Sequence, residues 1–363
     1  MNLIEFTDKG LYCALGDFYI DPWRPVKRAL ITHAHGDHAR WGHKYYLAHH
    51  DSIPIMQVRL GNNNYDGVEF GEIRDVNGVK VSYHPAGHII GSAQIRLEYK
   101  GEVWVASGDY KTESDGFSPD FEPVKCHAFI TESTFGLPIY NWQPQESIFN
   151  DINIWWKGNQ ERGMATVLCG YSLGKAQRIL MNLDRSIGDI YLHGSIYNLH
   201  KALIEKGIQI PYYPKVDVTS KKDIYRKAMI IAPPSATGSA WLKRFTPFSL
   251  GIASGWMALR GAKRRKAADK GFILSDHADW KGLNWAVEAT GAERVFVTHG
   301  YTSQFSAWLR GKGLDSKPVE TLFEDGTDEL NEGDHIVEEG NSEVAVDSVN
   351  DDIVEETGGE LAN

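Results

Sequence analysis

Short apolar runs bounded by glycine, proline or asparagine recur along the first part of the chain, each too short for a helix. Gly16-Asp-Phe-Tyr-Ile-Asp21 alternates and breaks at Pro22, which predicts a strand ending at Asp21. Ala29 to Thr32 predicts a second strand. Asn77-Gly78 between two apolar alternations predicts a hairpin turn. Val103-Trp-Val-Ala-Ser-Gly108-Asp109 reads as a buried strand that delivers a carboxylate at its end. From about Leu137 to Lys270 the period switches back and forth. Thr166 to Gly170, Ile190 to His193 and Met229 to Ala232 read as strands, and Gly174 to Met181 and Ala240 to Arg244 as helix starts. Strands alternating with helices predict a small parallel α/β unit, so the chain as a whole belongs to the α/β class.

The strand over Ala29–Thr32 runs into the stretch densest in metal-ligand types, His33-Ala-His35-Gly-Asp37-His38. His33 and His35 are two apart, so extended backbone sends both side chains to one side, where they can grip one ion. Gly36 permits a sharp turn, after which Asp37 and His38 can face a second ion. Imidazoles with a carboxylate suit Zn²⁺, and such mixed sites also take Mn²⁺ or Fe²⁺. Two ions about 3.5–4 Å apart can activate one hydroxide and clamp a phosphoryl group. His88, between Gly87 and Gly91, is a candidate third imidazole for the first ion, and Asp109 a candidate bridge. Asp21 has two open readings, an acceptor behind the site that orients a histidine, or a turn former before Pro22. His43, His49 and His50 lack ligand spacing and read as ordinary.

Composition narrows the class. Of 363 residues, 42% are hydrophobic and 24% charged, as in a soluble globular protein. No run of about 18 apolar residues exists, and the N-terminal residues lack a basic and then apolar leader pattern. Cys13, Cys126 and Cys169 are scattered and form no CxxC pair, which fits a reducing cytoplasm and excludes a thiolate site. The net charge of −10 argues against a nucleic-acid partner only until it is divided. Nine of the 48 acidic residues lie from Glu338 onward with no Lys or Arg, leaving 39 against 38 basic residues in the body. The acidic tail has little apolar content to bury and reads as a disordered solvating appendage.

Taken together, His33-Ala-His35-Gly-Asp37-His38, Gly87-His88 and Gly108-Asp109 resemble the metallo-β-lactamase fold. Ile130-Thr-Glu132-Ser-Thr-Phe-Gly136, Leu274-Ser-Asp-His277-Ala-Asp279 and Val297-Thr-His299-Gly300 resemble motifs of its nucleic-acid-processing β-CASP branch. Gly170-Tyr-Ser-Leu-Gly174-Lys-Ala-Gln177, Pro234-Ser235-Ala-Thr237-Gly238 and Ala253-Ser254-Gly255-Trp256-Met257 resemble bacterial ligase-associated DNA exonucleases. The likeness spans about residues 10 to 330. It implies a metallo-β-lactamase αββα sandwich with an inserted small parallel α/β (β-CASP) lid domain. The sandwich would comprise residues 1–137 and a return segment at 271–337, with the insertion at 138–270 and the tail at 338–363.

The resemblance also implies roles. His33, His35 and His88 would bind one metal, Asp37, His38 and His299 the other, with Asp109 bridging and Asp21 behind the loop. Glu132 would orient His277, the general acid, while a metal-bridging hydroxide attacks phosphorus. Two divalent ions are implied, zinc first and manganese second. In the lid, Ser235 and Thr237 read either as phosphate contacts or as helix caps, and Ser254, Lys263 and Arg264 join the phosphate-binding candidates. Arg260-Gly-Ala-Lys263-Arg264-Arg265-Lys266 reads either as a solvated face or as a patch tracking a nucleic-acid backbone. Trp155, Trp156 and Trp241 read as core or as base-stacking platforms, core first. A lactonase- or thioesterase-like small-substrate hydrolase would not need the Glu132/His277 pair, and a silent binding module would have lost a ligand. The expected activity is therefore cytoplasmic DNA hydrolysis by a repair exonuclease, associated by resemblance with a ligase or helicase. His299 is typical of RNA processors in this branch, which makes an RNA-processing β-CASP ribonuclease the alternative.

Overall fold

The computed structural model describes residues 2–259, 261 and 267–321. The chain opens with a six-stranded sheet, β1 (Glu5–Thr7), β2 (Gly10–Cys13), β3 (Phe18–Ile20), β4 (Arg28–Leu30), β5 (Tyr45–His49) and β6 (Tyr65–Val68), in that spatial order. Helix α1 (Ile53–Leu60) lies between the last two. A second sheet follows with β7 (Ile73–Val76), β8 (Val79–Pro85), β9 (Ala93–Tyr99), β10 (Glu102–Ala106) and β11 (Ala128–Glu132). The β7–β8 turn is the Asn77-Gly78 pair, with φ of 53° and 84°, the left-handed pair that a twisted hairpin requires.

The chain then leaves both sheets. Helix α2 (Gln145–Glu161) leads to a five-stranded sheet of β12 (Ala165–Cys169), β13 (Ile190–Leu192), β14 (Met229–Ala232), β15 (Phe248–Ala253) and β16 (Lys270–Phe272). Its spatial order is β13-β14-β12-β15-β16 and every pairing is parallel. Central β12, Ala-Thr-Val-Leu-Cys, is buried at all five positions, as a parallel strand covered on both faces must be. Helices α3 (Lys175–Asn182) and α4 (Gly194–Glu205) are crossovers of this unit. The chain returns through the helix Trp280–Thr290 to β17 (Arg294–Thr298), the helix Thr302–Gly311 and β18 (Asp315–Pro318), which complete the second sheet in the order β18-β17-β11-β10-β9-β8-β7. The described residues thus form a mixed α/β structure of three sheets.

Three apolar layers hold this together. Phe18 and Ile20 from the first sheet and Val81, Tyr83, Ile95, Leu97 and Trp104 from the second share one buried core, so the two sheets pack face to face. The outer face of the second sheet, including Phe129, Val295 and Val297, is covered by Leu283, Val287, Phe305 and Leu309 of the returning helices. The outer face of the first is covered by Ile55 and Met56 of α1, against which Leu199 and Leu203 of α4 also pack. The parallel unit is therefore anchored onto the first sheet through α4.

One expectation fails locally. Ala240–Phe245 is a 3₁₀ segment rather than an α-helix, and Pro234–Ala236 before it is a single 3₁₀ turn. Pro247 explains the stop. It forces Thr246 into extended backbone (φ −61°, ψ 129°), leaving only six residues after Ser239. Trp156 is fully buried, donates to the Lys227 carbonyl at 3.0 Å and packs on Ile152, which removes it as a stacking platform. Trp155 donates to Ser249 Oγ at 3.3 Å and tilts onto Phe272, and Trp241 meets His193 and Phe245 edge-on. The basic residues Arg260 and Lys263 to Lys266, and the tail 338–363, lie outside the described residues.

Candidate metal centre

The first sheet ends where the chemistry begins. Past β4, Thr32 donates its N–H (2.8 Å) and hydroxyl (2.5 Å) to the Asp21 carboxylate, which fixes the start of the histidine loop. Asp21 itself sits at φ 41°, an uncommon backbone state for a residue with a side chain. Its Oδ2 also accepts from His38 Nδ1 at 2.7 Å, so the tautomer of His38 is set and Nε2 faces Asp37 Oδ2 and Asp109 Oδ2, both at 3.4 Å. Asp21 is thus the acceptor shared by the Thr32 backbone, the Thr32 hydroxyl and the His38 ring.

Two neighbouring strand ends close the site. Gly108 stands at φ 57°, and a Cβ there would come within 2.6 Å of the Thr32 side chain, so only glycine lets the end of β10 approach the loop. Asp109 follows at once. Beyond β17, His299 is held at φ 56° with its carbonyl accepting from the Ser133 hydroxyl. A Cβ on Gly300 would lie 2.5 Å from Thr134 Cα, which keeps this turn tight.

The ligand-type atoms converge in two groups that share Asp109. His33, His35, His88 and Asp109 form one, and Asp37, His38, Asp109 and His299 the other, each within 4.8 Å mutually. Asp109 Oδ2 lies 3.6 Å from His33 Nε2 and 3.9 Å from His88 Nε2 on one side, and 3.4 Å from His38 Nε2 on the other. His299 Nε2 is 3.7 Å from Asp37 Oδ2. Asp37, with a side chain 16% exposed, is the opening of an otherwise enclosed centre.

Tautomers test whether a cation fits. His88 Nδ1 donates to the Asp276 carbonyl at 2.8 Å and His35 Nε2 to the Leu173 carbonyl at 3.2 Å. In neutral rings this leaves His88 Nε2 and His35 Nδ1 as bare lone pairs only 3.0 Å apart, with His33 Nε2 3.1 Å from the same Nδ1. Facing lone pairs repel unless a cation lies among them, and a tetrahedral ion with Zn–N bonds of 2.0–2.1 Å would hold its nitrogens about 3.3 Å apart. Protonation is no substitute. Burial and then His88 bring His35 down to about 3, and burial and then His277 lower His88. Burial, followed by His38, drives His33 well below its ordinary value. In the second group burial opposes charge on His38, but Asp37, Asp109 and Asp21 outweigh it and hold its pKa well above normal. That is the field of a site built for positive charge. Asp109 Oδ1 is moreover buried with no hydrogen-bond partner among the described residues. The donor sets fit two divalent cations.

Beside the centre, His277 Nδ1 lies 3.1 and 3.0 Å from the two oxygens of Glu132, which has no exposed surface and also accepts from Tyr110 N at 2.7 Å. The His277 backbone is held by Ser275 Oγ and by Trp142 Nε1, which donates to its carbonyl at 2.9 Å. Its ring centroid is 4.6 Å from that of His88.

The remaining sequence candidates carry no ligand-type atom of these clusters. Ser235 is exposed, Thr237 Oγ1 lies 3.8 Å from Cys169 Sγ, and buried Ser254 Oγ accepts from Trp256 N at 3.2 Å. Thr237 meets the end of β12 and Ser254 follows β15, the carboxyl edge of the parallel sheet where α/β units take ligands. Lys263 and Arg264 lie outside the described residues.

Sequence reasoning missed a buried ionic knot at the same edge. Asp276 Oδ2 meets Lys175 Nζ at 3.4 Å and its Oδ1 meets Arg178 Nη1 at 3.2 Å, all three being 1–3% exposed. Burial opposes ionisation of Asp276, but Lys175 and Arg178 hold it down to about 2. Charged side chains default to solvent, so nothing local to either segment marks these three as buried partners.

No family model matches this chain. It is 33% identical over 311 residues to a probable DNA ligase of Opitutus terrae, covering 85% of this chain and 30% of that protein. It is 30% identical over 203 residues to cleavage and polyadenylation specificity factor 73 of Drosophila melanogaster, covering 51% of this chain and 29% of that one. With the endoribonuclease YSH1 of Saccharomyces cerevisiae it shares 31% over 119 residues, 32% of this chain and 15% of the relative. The chain thus spans less than a third of the length of these relatives. Among solved structures, a protein of unknown function from Enterococcus faecalis V583 superposes with a TM-score of 0.55 at 12% identity, over 74% of each chain, a likeness of fold. The resemblance carried by the motifs, to the β-CASP nuclease branch of the metallo-β-lactamase fold and to ligase-associated proteins, is shown by these relatives. Among the described residues no helix is long and apolar enough to cross a membrane.

Proposed function

We propose that the chain is a metal-dependent nuclease that hydrolyses DNA phosphodiesters, acting as an exonuclease in DNA repair. Residues 1–137 and 271–337 would then belong to a metallo-β-lactamase αββα sandwich, of which 322–337 lie outside the described residues, and residues 138–270 to a β-CASP lid beside the metal centre. The observation that carries this reading is the pair of ligand groups sharing Asp109, with the buried Glu132–His277 couple alongside.

His33, His35, His88 and Asp109 would hold one divalent cation, and Asp37, His38, Asp109 and His299 the other, zinc first and manganese second. Cations so bound would supply a hydroxide near neutral pH and neutralise charge on phosphate oxygens. The protein's own groups do the rest. Glu132 fixes His277 with its Nδ1–H toward the carboxylate, so the acidic proton is carried on Nε2 and passes to the departing sugar oxygen. Asp21 keeps His38 Nε2 turned to the cation. Enclosure of all ligands but Asp37 excludes bulk water. Ser235, Thr237, Ser254, Lys263 and Arg264 are the groups offered to substrate phosphates. Three segments resembling ligase-associated exonucleases, and the likeness over 85% of the chain to a protein named as a DNA ligase, favour DNA. His299, with relatives named as endoribonuclease and polyadenylation factor over shorter spans, favours RNA as the second reading.

The test is cleavage of single-stranded and duplex DNA and RNA, each end-labelled with and without a 5′-phosphate, in Zn²⁺ or Mn²⁺. Stepwise shortening of DNA supports the first reading. Preferential cutting of RNA replaces it with the second, and inertness toward all four rejects both.

A further inference from the structure

Two of the three imidazoles that face one cation are held from behind by backbone of the inserted unit or its exit. His35 Nε2 donates to Leu173 O, in the loop between β12 and α3, at 3.2 Å. His88 Nδ1 donates to Asp276 O, at the return from β16, at 2.8 Å. These two carbonyls belong to one rigid piece. Arg178, on α3, donates from Nη1 to the Ser275 carbonyl at 2.6 Å and to Asp276 Oδ1 at 3.2 Å, while Lys175 Nζ reaches Asp276 Oδ2 at 3.4 Å. Arg178 Nε is itself oriented by Gln145 Oε1 at 3.0 Å. The Leu173 loop is tied to the same helix, because Gln177 Oε1 accepts from Gly174 N at 2.7 Å and its amide donates to the Ser172 carbonyl at 3.1 Å.

We propose that Arg178, Lys175 and Asp276 form a positioning clamp that sets the two outer hydrogen bonds of the three-histidine cation position, so that docking of the inserted unit and loading of that position reinforce one another. The clamp's charged groups meet one another and the Ser275 carbonyl. It fixes the carbonyl that selects the His88 tautomer, and through Ser275-Asp276 it fixes the root of the His277 ring. The second position is backed from a different element, His38 being oriented by Asp21 from the first sheet. The clamp therefore acts on the three-histidine position. It rests on the metal-binding part of the proposed function.

The experiment is metal binding to the chelator-stripped full chain, by competition with a chromophoric chelator using Zn²⁺, with His35→Ala and His299→Ala marking which binding step belongs to which position. Partners behind metal-ligating histidines typically contribute 10–100-fold in affinity. Arg178→Ala should weaken the step lost in His35→Ala by about that factor and leave the step lost in His299→Ala unchanged. Arg178→Lys, which keeps the charge and one hydrogen bond, should recover part of it, and hydrogen exchange in the 170–178 segment should fall on zinc addition in the wild type more than in Arg178→Ala. The clamp is overturned if Arg178→Ala binds both ions as tightly as wild type, or loses both steps equally with a matching drop in melting temperature. Absence of zinc binding by the wild type rejects the metal-dependent function itself, a separate result.

Discussion

Replacing Glu132 with glutamine isolates the Glu132–His277 couple without changing volume. Glu132 is wholly buried, and its carboxylate accepts from Tyr110 N at 2.7 Å and faces His277 Nδ1 at 3.0 and 3.1 Å. A glutamine can satisfy Tyr110 with its carbonyl oxygen only by turning its NH₂ toward Nδ1, which opposes a proton there and withdraws the charge that favours imidazolium. A hydrogen bond to a charged group is worth about 1.5–3 kcal/mol, and each 1.36 kcal/mol is tenfold in rate. We predict that Glu132→Gln lowers kcat on an oligonucleotide by about 10–100-fold, within the 10²–10⁴-fold ceiling set by losing a general acid outright in His277→Ala. The assay pairs the oligonucleotide with a p-nitrophenyl phosphodiester of thymidine, whose leaving group departs without a proton. On that substrate both variants should come within a few-fold of wild type, and the double variant should be no slower than His277→Ala, because Glu132 acts through His277. Equal losses on both substrates, or additive losses in the double variant, would refute the acid role and assign the couple to holding the centre together.

Asp109→Asn keeps the shape but removes the charge shared by both ligand groups. We predict loss of activity on every nucleic acid with an unchanged circular dichroism spectrum, and retained turnover would remove its bridging role. Ser235→Ala with Thr237→Ala should lower exonucleolytic but not endonucleolytic cleavage. An equal fall in both would reduce these hydroxyls to backbone caps. Trp156→Ala should destabilise the inserted unit by about 3–5 kcal/mol in denaturant titration while leaving single-strand affinity of the folded fraction unchanged. A selective loss of affinity without loss of stability would restore the stacking reading that its burial contradicts.

What the sequence carried depended on whether a signal was local. His33, His35, Asp37 and His38 fall within six positions after an apolar run, and the alternation of Thr166–Gly170, Gly174–Met181 and Met229–Ala232 marks a parallel unit. His88, Asp109, Glu132, His277 and His299 were legible only through motif order, because each stands alone in its own stretch. The knot of Lys175, Arg178 and Asp276 was illegible for a physical reason. Charged side chains default to solvent, and only the tertiary approach of α3 to the Ser275-Asp276 turn buries them as a matched set. The segment after Ser239 misled because helix-forming residues were weighed without Pro247, which ends the turn after six residues.

We propose that two cations held by the ligand groups that share Asp109 would make this chain a phosphodiesterase. The most direct measurement is a titration of the chelator-stripped protein with Zn²⁺ or Mn²⁺, following ion binding and cleavage of end-labelled DNA and RNA in the same samples. The account predicts no cleavage without metal, binding of two ions, and activity that rises with occupancy of both and is abolished in Asp109→Asn. Full cleavage by the stripped protein, or full activity with a single bound ion, would contradict it.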